Sequence, residues 1–202
     1  MEINHTVLET FANKLLDHEL QVEDIPSIKQ YADQVTELLN SKLNHRRKGD
    51  ETSLAITKAM INNYTKNGLL NPPDKKKYDK NHIILLSLIY HLKQVLSLDD
   101  VKTIFNPILK NLDHPEEKQF IIALDDIYKA FLEFQKEEYF DTCNDYEDRF
   151  NRVCAKLNYP FEDHPGKDVI EKFLTVLLLV AEATAAKHLA EKMIDTYFKL
   201  QE

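Results

Sequence analysis

The stretch TKAMINNYTKNGLLNPPDKKKY, Thr57 to Tyr78, decides how this chain is read. Thr57 stands where an N-cap belongs, since its hydroxyl can accept from an orphan N–H of a first helical turn. Gly68 stands where a C′ residue in the left-handed conformation belongs, with Leu69 or Leu70 free to pack back. The implied helix is short, about 58–67. Met60, Ile61 and Tyr64 share one face by i, i+3, i+4 spacing and should anchor it to a core. Lys58, Asn62, Asn63 and Lys66 fall on the other side. Asn can pair bidentately with adenine, and Lys can meet guanine or phosphate. Two adjacent Asn cost helix propensity on an exposed face, which either means nothing or marks a use. Beyond the helix, Pro72 and Pro73 stiffen an extended turn. Lys75, Lys76 and Lys77 sit at its tip, with Tyr78 behind them. A basic arm beside a short polar helix suits a grip on phosphates while the helix enters a groove.

Working outward, the remaining punctuation falls where helices should stop. Gly49, Gly68 and Gly166 are the only glycines, and Pro26, Pro72-Pro73, Pro107, Pro115, Pro160 and Pro165 mark other breaks. Between them the apolar period is near 3.6. It predicts helices over about 5–20, 27–44, 57–67, 79–95, 98–111, 115–138, 139–157 and 167–200. The one candidate extended segment is Leu70 to Tyr78. Ser97 should cap the helix that opens with the acidic first turn Asp99-Asp100. The expected fold class is all-α.

The chain has 202 residues, 43% of them hydrophobic, enough for a real core. Three glycines and two cysteines argue against a turn-rich sheet protein, a glycine-rich phosphate loop or a disulfide framework. The net charge of -8 argues against a nonspecific nucleic-acid coat, but it is unevenly spread. Residues 1–110 hold 15 basic and 14 acidic side chains, and residues 111–202 hold 11 and 20. Within 42–80 ten basic residues, Arg46 and Arg47 among them, face four acids. An acidic protein with one basic segment meets a polyanion on one face, or merely carries a solvated charged surface.

The order helix, Tyr64-x-x-x-Gly68-Leu69-Leu70, proline-bearing basic arm, long helix and Leu98-Asp99-Asp100-Val101 resembles the mercury-resistance-regulator (MerR-like) winged helix-turn-helix. More closely, Thr57–Tyr78 resembles a bacterial family catalogued as domain of unknown function 1836. The resemblance covers roughly 25–110. It implies a cytoplasmic transcription regulator that binds double-stranded DNA, with the winged domain over 25–112, an N-terminal helix in 1–24 and a helical domain over 113–202. Thr57, Lys58, Asn62, Asn63, Lys66, Lys75, Lys76, Lys77, Tyr78, Arg46 and Arg47 are the expected DNA-binding residues, Lys58 and Asn62 toward bases and the lysines of the arm toward phosphates. The chain departs from the mercury-type pattern in four ways. About a dozen residues, Leu43 to Leu54, intervene before the helix, and the wing is abbreviated. Asn62 and Asn63 stand where that family usually carries Arg and Tyr, so which side chains read bases does not carry over from it. The sensor cysteines have no counterpart, so no metal-sensor role is implied.

The C-terminal half reads as three helices. The last one is apolar nearly all round in its first half, so it should be central or shared between subunits. Ala181, Ala183, Ala185 and Ala186 permit close helix approach. A homodimer is therefore expected, and this half is a place where an unknown small-molecule effector could bind. The alternative is a non-DNA-binding adaptor that uses the acidic half. Cys143 and Cys154, eleven apart and three turns along one helix, are too far apart to bridge and should be free thiols of a reducing compartment. Phe173–Ala186 is too short and too interrupted to span a bilayer, so no membrane role is expected. His82 and His91 are nine apart and face different ways, and Asp125-Asp126 reads as a solvated helix feature. Asp113-His114-Pro115-Glu116 reads as a helix cap. No nucleophile, metal or cofactor motif is present, so neither an enzyme nor a cofactor is expected.

Overall fold

The structure, a computed structural model, describes residues 5–43, 55–113, 123–156 and 166–199. Among them are eight α-helices: α1 His5–Leu16, α2 Ala32–Lys42, α3 Lys58–Lys66, α4 Lys80–Leu92, α5 Leu98–Asp113, α6 Leu124–Asn144, α7 Tyr146–Lys156 and α8 Lys167–Tyr197. Two short strands, β1 Gln30–Tyr31 and β2 Lys77–Tyr78, pair antiparallel with Gln30 opposite Tyr78 and Tyr31 opposite Lys77. The all-α expectation holds.

The core is built on α4. All eight residues from Ile83 to Tyr90 are buried. A helix that is apolar on every side has to be covered on every side. Packed around it are α2 through Val35 and Leu39, α3 through Ile61 and Tyr64, α5 through Val101, Phe105 and Leu109, and α6 through Leu124 and Tyr128. Leu20, Val22 and Ile25, between α1 and α2, close it. The core thus continues past residue 112 into α6. The central helix is α4, not α8, where only Thr175 and Ile194 are buried.

One polar chain crosses this core. The Tyr128 hydroxyl, on a side chain with no exposure, donates to the Leu20 carbonyl at 2.8 Å. It lies 2.8 Å from Ser87 Oγ, which then donates to it. Three separate elements are joined by two buried bonds, and burial pushes the Tyr128 phenol far above its ordinary range.

Several boundaries differ from expectation. The helix expected from 27 begins at Ala32, because Gln30–Tyr31 pair with a strand 47 residues downstream that local periodicity cannot see. The break expected at 138/139 lies at Asp145. Cys143 and Cys154 consequently sit on different helices, and both are free. The segment expected to start a helix at 115 and most of the Asp113–Glu116 cap lie outside the described residues. Among the described residues no helix is long and apolar enough to cross a membrane.

Tyr128→Phe keeps the ring and removes the hydroxyl, stranding Ser87 and the Leu20 carbonyl. It should cost about 1–3 kcal/mol, read as a lower urea midpoint with unchanged slope. Asp79 caps α4 by accepting from the His82 N–H at 3.2 Å. The His82 ring beside it holds its carboxyl below the ordinary 3.8. A depressed carboxylate stabilises the fold above its unfolded-state value and loses that contribution as pH falls through the folded value. The stability gap between wild type and Asp79→Asn should therefore narrow as pH drops below 3.8, measured by urea midpoints at pH 7 and pH 3.

Candidate nucleic-acid interface

Helix α3 is capped as its sequence implies. The Met60 N–H donates to Thr57 Oγ1 at 3.2 Å. At the other end Gly68 adopts φ 72. Its N–H donates to the Thr65 carbonyl at 3.2 Å and the Leu69 N–H donates to that of Tyr64 at 2.9 Å. This is a Schellman closure, which needs the left-handed residue that glycine supplies without strain. Ile61 and Tyr64 are buried, whereas Lys58, Asn62, Asn63 and Lys66 are exposed. At 100° per residue the exposed group occupies an arc of about 140° that contains no acid.

Two residues that the sequence did not single out hold this helix in place. On α2, Asn40 Nδ2 donates to the Ile56 carbonyl at 2.7 Å, and its Oδ1 accepts from the Ile56 N–H at 3.2 Å. From the end of α4, Lys93 Nζ donates to the Ala55 carbonyl at 3.1 Å. Burial pulls this ammonium down from its ordinary value. The chain just before α3 is therefore clamped from both sides. No sequence motif announces a side chain that bonds backbone 16 positions away.

The basic arm is a turn. Asp74 and Lys77 form a bridge, and the Lys77 N–H donates to the Asp74 carbonyl at 2.8 Å. Lys75 and Lys76 between them have φ 48 and 65. Two successive left-handed residues make a type I′ turn, which favours Asn-Gly and strains most other residues that carry a Cβ. Lysine is a poor choice for that backbone, so the turn spends stability to keep two cations at its tip. Asp74 is answered by Lys29 at 2.7 Å. The Lys77 ammonium lies 5.1 Å from the centroid of the exposed Tyr31 ring. At the base of the turn, His82 Nε2 is 3.2 Å from the Asn71 carbonyl and Nδ1 is 2.6 Å from Asp79 Oδ1.

The expected residues do not all share this role. Tyr78 is 5% exposed, and its ring packs edge-on against His82. It belongs to the core and supports the turn from beneath, so it is not a surface contact. A ring adjacent to three lysines reads as part of a binding arm, but alternation along β2 turns it inward. Lys58 is ion-paired with Asp33 of α2. Lys80 turns to Asp125 of α6, and Lys42 meets Asp24 at 2.9 Å. Three of the ten segment cations are thus answered by acids outside the segment, which a linear count misses. Asp125 is accordingly an ion-pair partner and not a merely solvated residue. Arg46 and Arg47 lie outside the described residues. Asn63 Oδ1 accepts from Asn67 Nδ2 at 2.9 Å, which orients its amide. One further cation joins the group. Lys102 of α5 brings its Cε within 3.7 Å of where a Cβ on Gly68 would stand, beside the C-terminal end of α3, where a helix dipole favours positive charge.

Elsewhere, a groove of about 580 Å³ opens between the end of α1 and α6, lined by Leu16, Asp17, Glu19, Glu23, Lys129 and Glu133 among others. His82 and His91 do face apart, the latter meeting the buried Glu19 at 3.1 Å. Among the described residues no group of three His, Cys, Asp or Glu could hold a metal ion.

A family model described as a domain of unknown function (DUF1836) matches residues 20–131, more than half of the chain. That span contains β1, α2, α3, the lysine turn, α4, α5 and the first two turns of α6. No curated protein and no solved structure matches.

The strain in the turn is measurable. Lys75→Asn with Lys76→Gly should raise stability by about 0.5–2 kcal/mol, read as a higher urea midpoint, because both replacements accept the left-handed backbone.

Proposed function

The chain belongs to the domain of unknown function (DUF1836) family, and from that footing we propose that it is a cytoplasmic, DNA-binding transcription regulator whose residues 25–112 act as a MerR-like winged helix-turn-helix. The observation that carries this reading is the pair of surfaces around α3. One is an exposed arc of Lys58, Asn62, Asn63 and Lys66 that includes no acid of its own, with Asp33 of α2 on Lys58 at its edge. The other is a turn that accepts backbone strain to hold Lys75 and Lys76 at its tip.

In this reading α3 enters the major groove, Asn62 offers its amide to an adenine edge, and Lys66 meets phosphate. Lys75, Lys76 and Lys77 track the adjacent backbone, and Tyr31 steadies Lys77 through its ring. Lys58 exchanges the Asp33 carboxylate for a base or phosphate. That exchange costs little, because an exposed ion pair is worth at most about 1 kcal/mol. Asn40 and Lys93 serve as positioning residues, since they hold the chain that leads into α3 rather than touching DNA.

A salt titration tests the reading. Binding is followed by fluorescence anisotropy on a duplex taken from upstream of the protein's own coding sequence, against a scrambled duplex. Wild type should prefer the former and weaken linearly in log–log with salt. Replacing Lys75, Lys76 and Lys77 by Ala should lower affinity for both duplexes and flatten the slope by about 2–3. Asn62→Ala should weaken the preference by about 1–3 kcal/mol while leaving the slope unchanged. No binding at low salt would sink the regulator and favour an adaptor that works through its acidic half.

A further inference from the structure

Helix α8 leaves an apolar strip in the open along its first half. Away from that strip, toward α7, the half-buried Leu174, Leu178 and Leu179 lie among polar groups. Arg149 Nη1 meets Glu182 at 3.2 Å, Arg152 lies 3.8 Å from the same carboxylate, Thr175 is buried, and the Glu171 side chain is 13% exposed. The opposite strip is wholly apolar and faces out. Val169, Phe173, Val176, Leu177 and Val180 are between 46% and 67% exposed. At 100° per residue they fall within an arc of about 100°. That arc carries no charged side chain until Lys187.

An uncharged apolar strip left open to water contradicts the usual driving force. The five side chains present on the order of 500 Å² of apolar surface, as much as the largest patch of a typical monomer. We propose that a second copy of this chain covers it, with the first half of α8 packed on its counterpart about a two-fold axis. The area suffices for a second copy. Two such faces bury about 1,000 Å² in total, the least that a biological interface clears. An uncharged strip also has nothing with which to select a partner of opposite charge. It is complementary to another uncharged strip of the same length, and a two-fold contact supplies that strip by symmetry. The second half of α8 is not part of this interface. There Ile194 is buried and Lys199 reaches Asp100 of α5 at 3.4 Å, while Leu189, Met193 and Tyr197 are exposed on a different side.

The inference stands apart from the DNA reading and is tested without DNA. Sedimentation equilibrium of the full chain at 1–50 µM (roughly the range that separates a specific interface from a weak encounter) should give a particle of twice the 23.6 kDa monomer. Val176→Glu and Val176→Lys should each give a monomer with unchanged helical circular dichroism, and an equimolar mixture of the two should restore the dimer. Leu189→Glu, an equally exposed position on the other side, should remain dimeric. A wild-type monomer at 50 µM, as when another part of the chain covers the strip, would overturn the proposal. So would a dimer that persists unchanged in both Val176 variants. Should the charged variants lose their fold, Phe173→Ala decides. A dissociation constant weaker by tenfold or more supports the interface, and an unchanged one overturns it.

Discussion

A helix that is apolar on all sides sets the terms for the rest of the molecule. Ile83 to Tyr90 leave no face of α4 fit for water, so α2, α3, α5, α6 and the segment from Leu20 to Ile25 must all close on it. This one requirement brings the polar arc of α3 and the lysine turn to fixed places. It also ties the two halves of the chain together, since Tyr128 of α6 enters the same core and bonds Ser87 on α4. The polar chain from Ser87 through Tyr128 to Leu20 adds specificity to what would otherwise be nonspecific hydrophobic contact, because buried hydroxyls are satisfied in one arrangement only.

Against that rigid centre, the features of interest are local departures from what stability alone would choose. An Asn-Asn pair lies on a helix surface where Ala or Glu would propagate the helix better. Two lysines occupy left-handed positions that Asn-Gly would fill without strain. A 31-residue helix leaves an apolar strip exposed along half its length. Each departure lies on the surface. The core residues of α2, α3, α5 and α6, in contrast, keep to i+3 or i+4 spacing.

Much of this was legible in the sequence because it is local. Thr57, Gly68 and Ser97 terminate helices through groups within three or four residues, and all three do so in the structure. The apolar stripe of α3 and the exposure of Asn62 and Asn63 follow from 3.6-residue spacing alone. What escaped was every interaction between residues distant in sequence. β1 exists only because β2 is there to pair with it. Lys42, Lys58 and Lys80 look like part of a free basic segment until Asp24, Asp33 and Asp125 are brought beside them. Tyr78 looks like a surface ring until strand alternation turns it inward. The all-round apolarity of α8 suggested a central helix, but α4 already fills that place, and composition cannot say which of two apolar helices is enclosed. Asn40 and Lys93 bear no recognisable pattern at all.

The clamp that Asn40 and Lys93 form has a consequence for how such a chain can vary. The orientation of α3 is set by bonds to Ala55 and Ile56, immediately before its cap, and by Ile61 and Tyr64 in the core. Nothing in that set depends on how many residues connect α2 to position 55. The connector's length is thereby uncoupled from the geometry of the helix it leads to. A change in the length or charge of that link leaves these anchors, and so the direction of the helix, untouched.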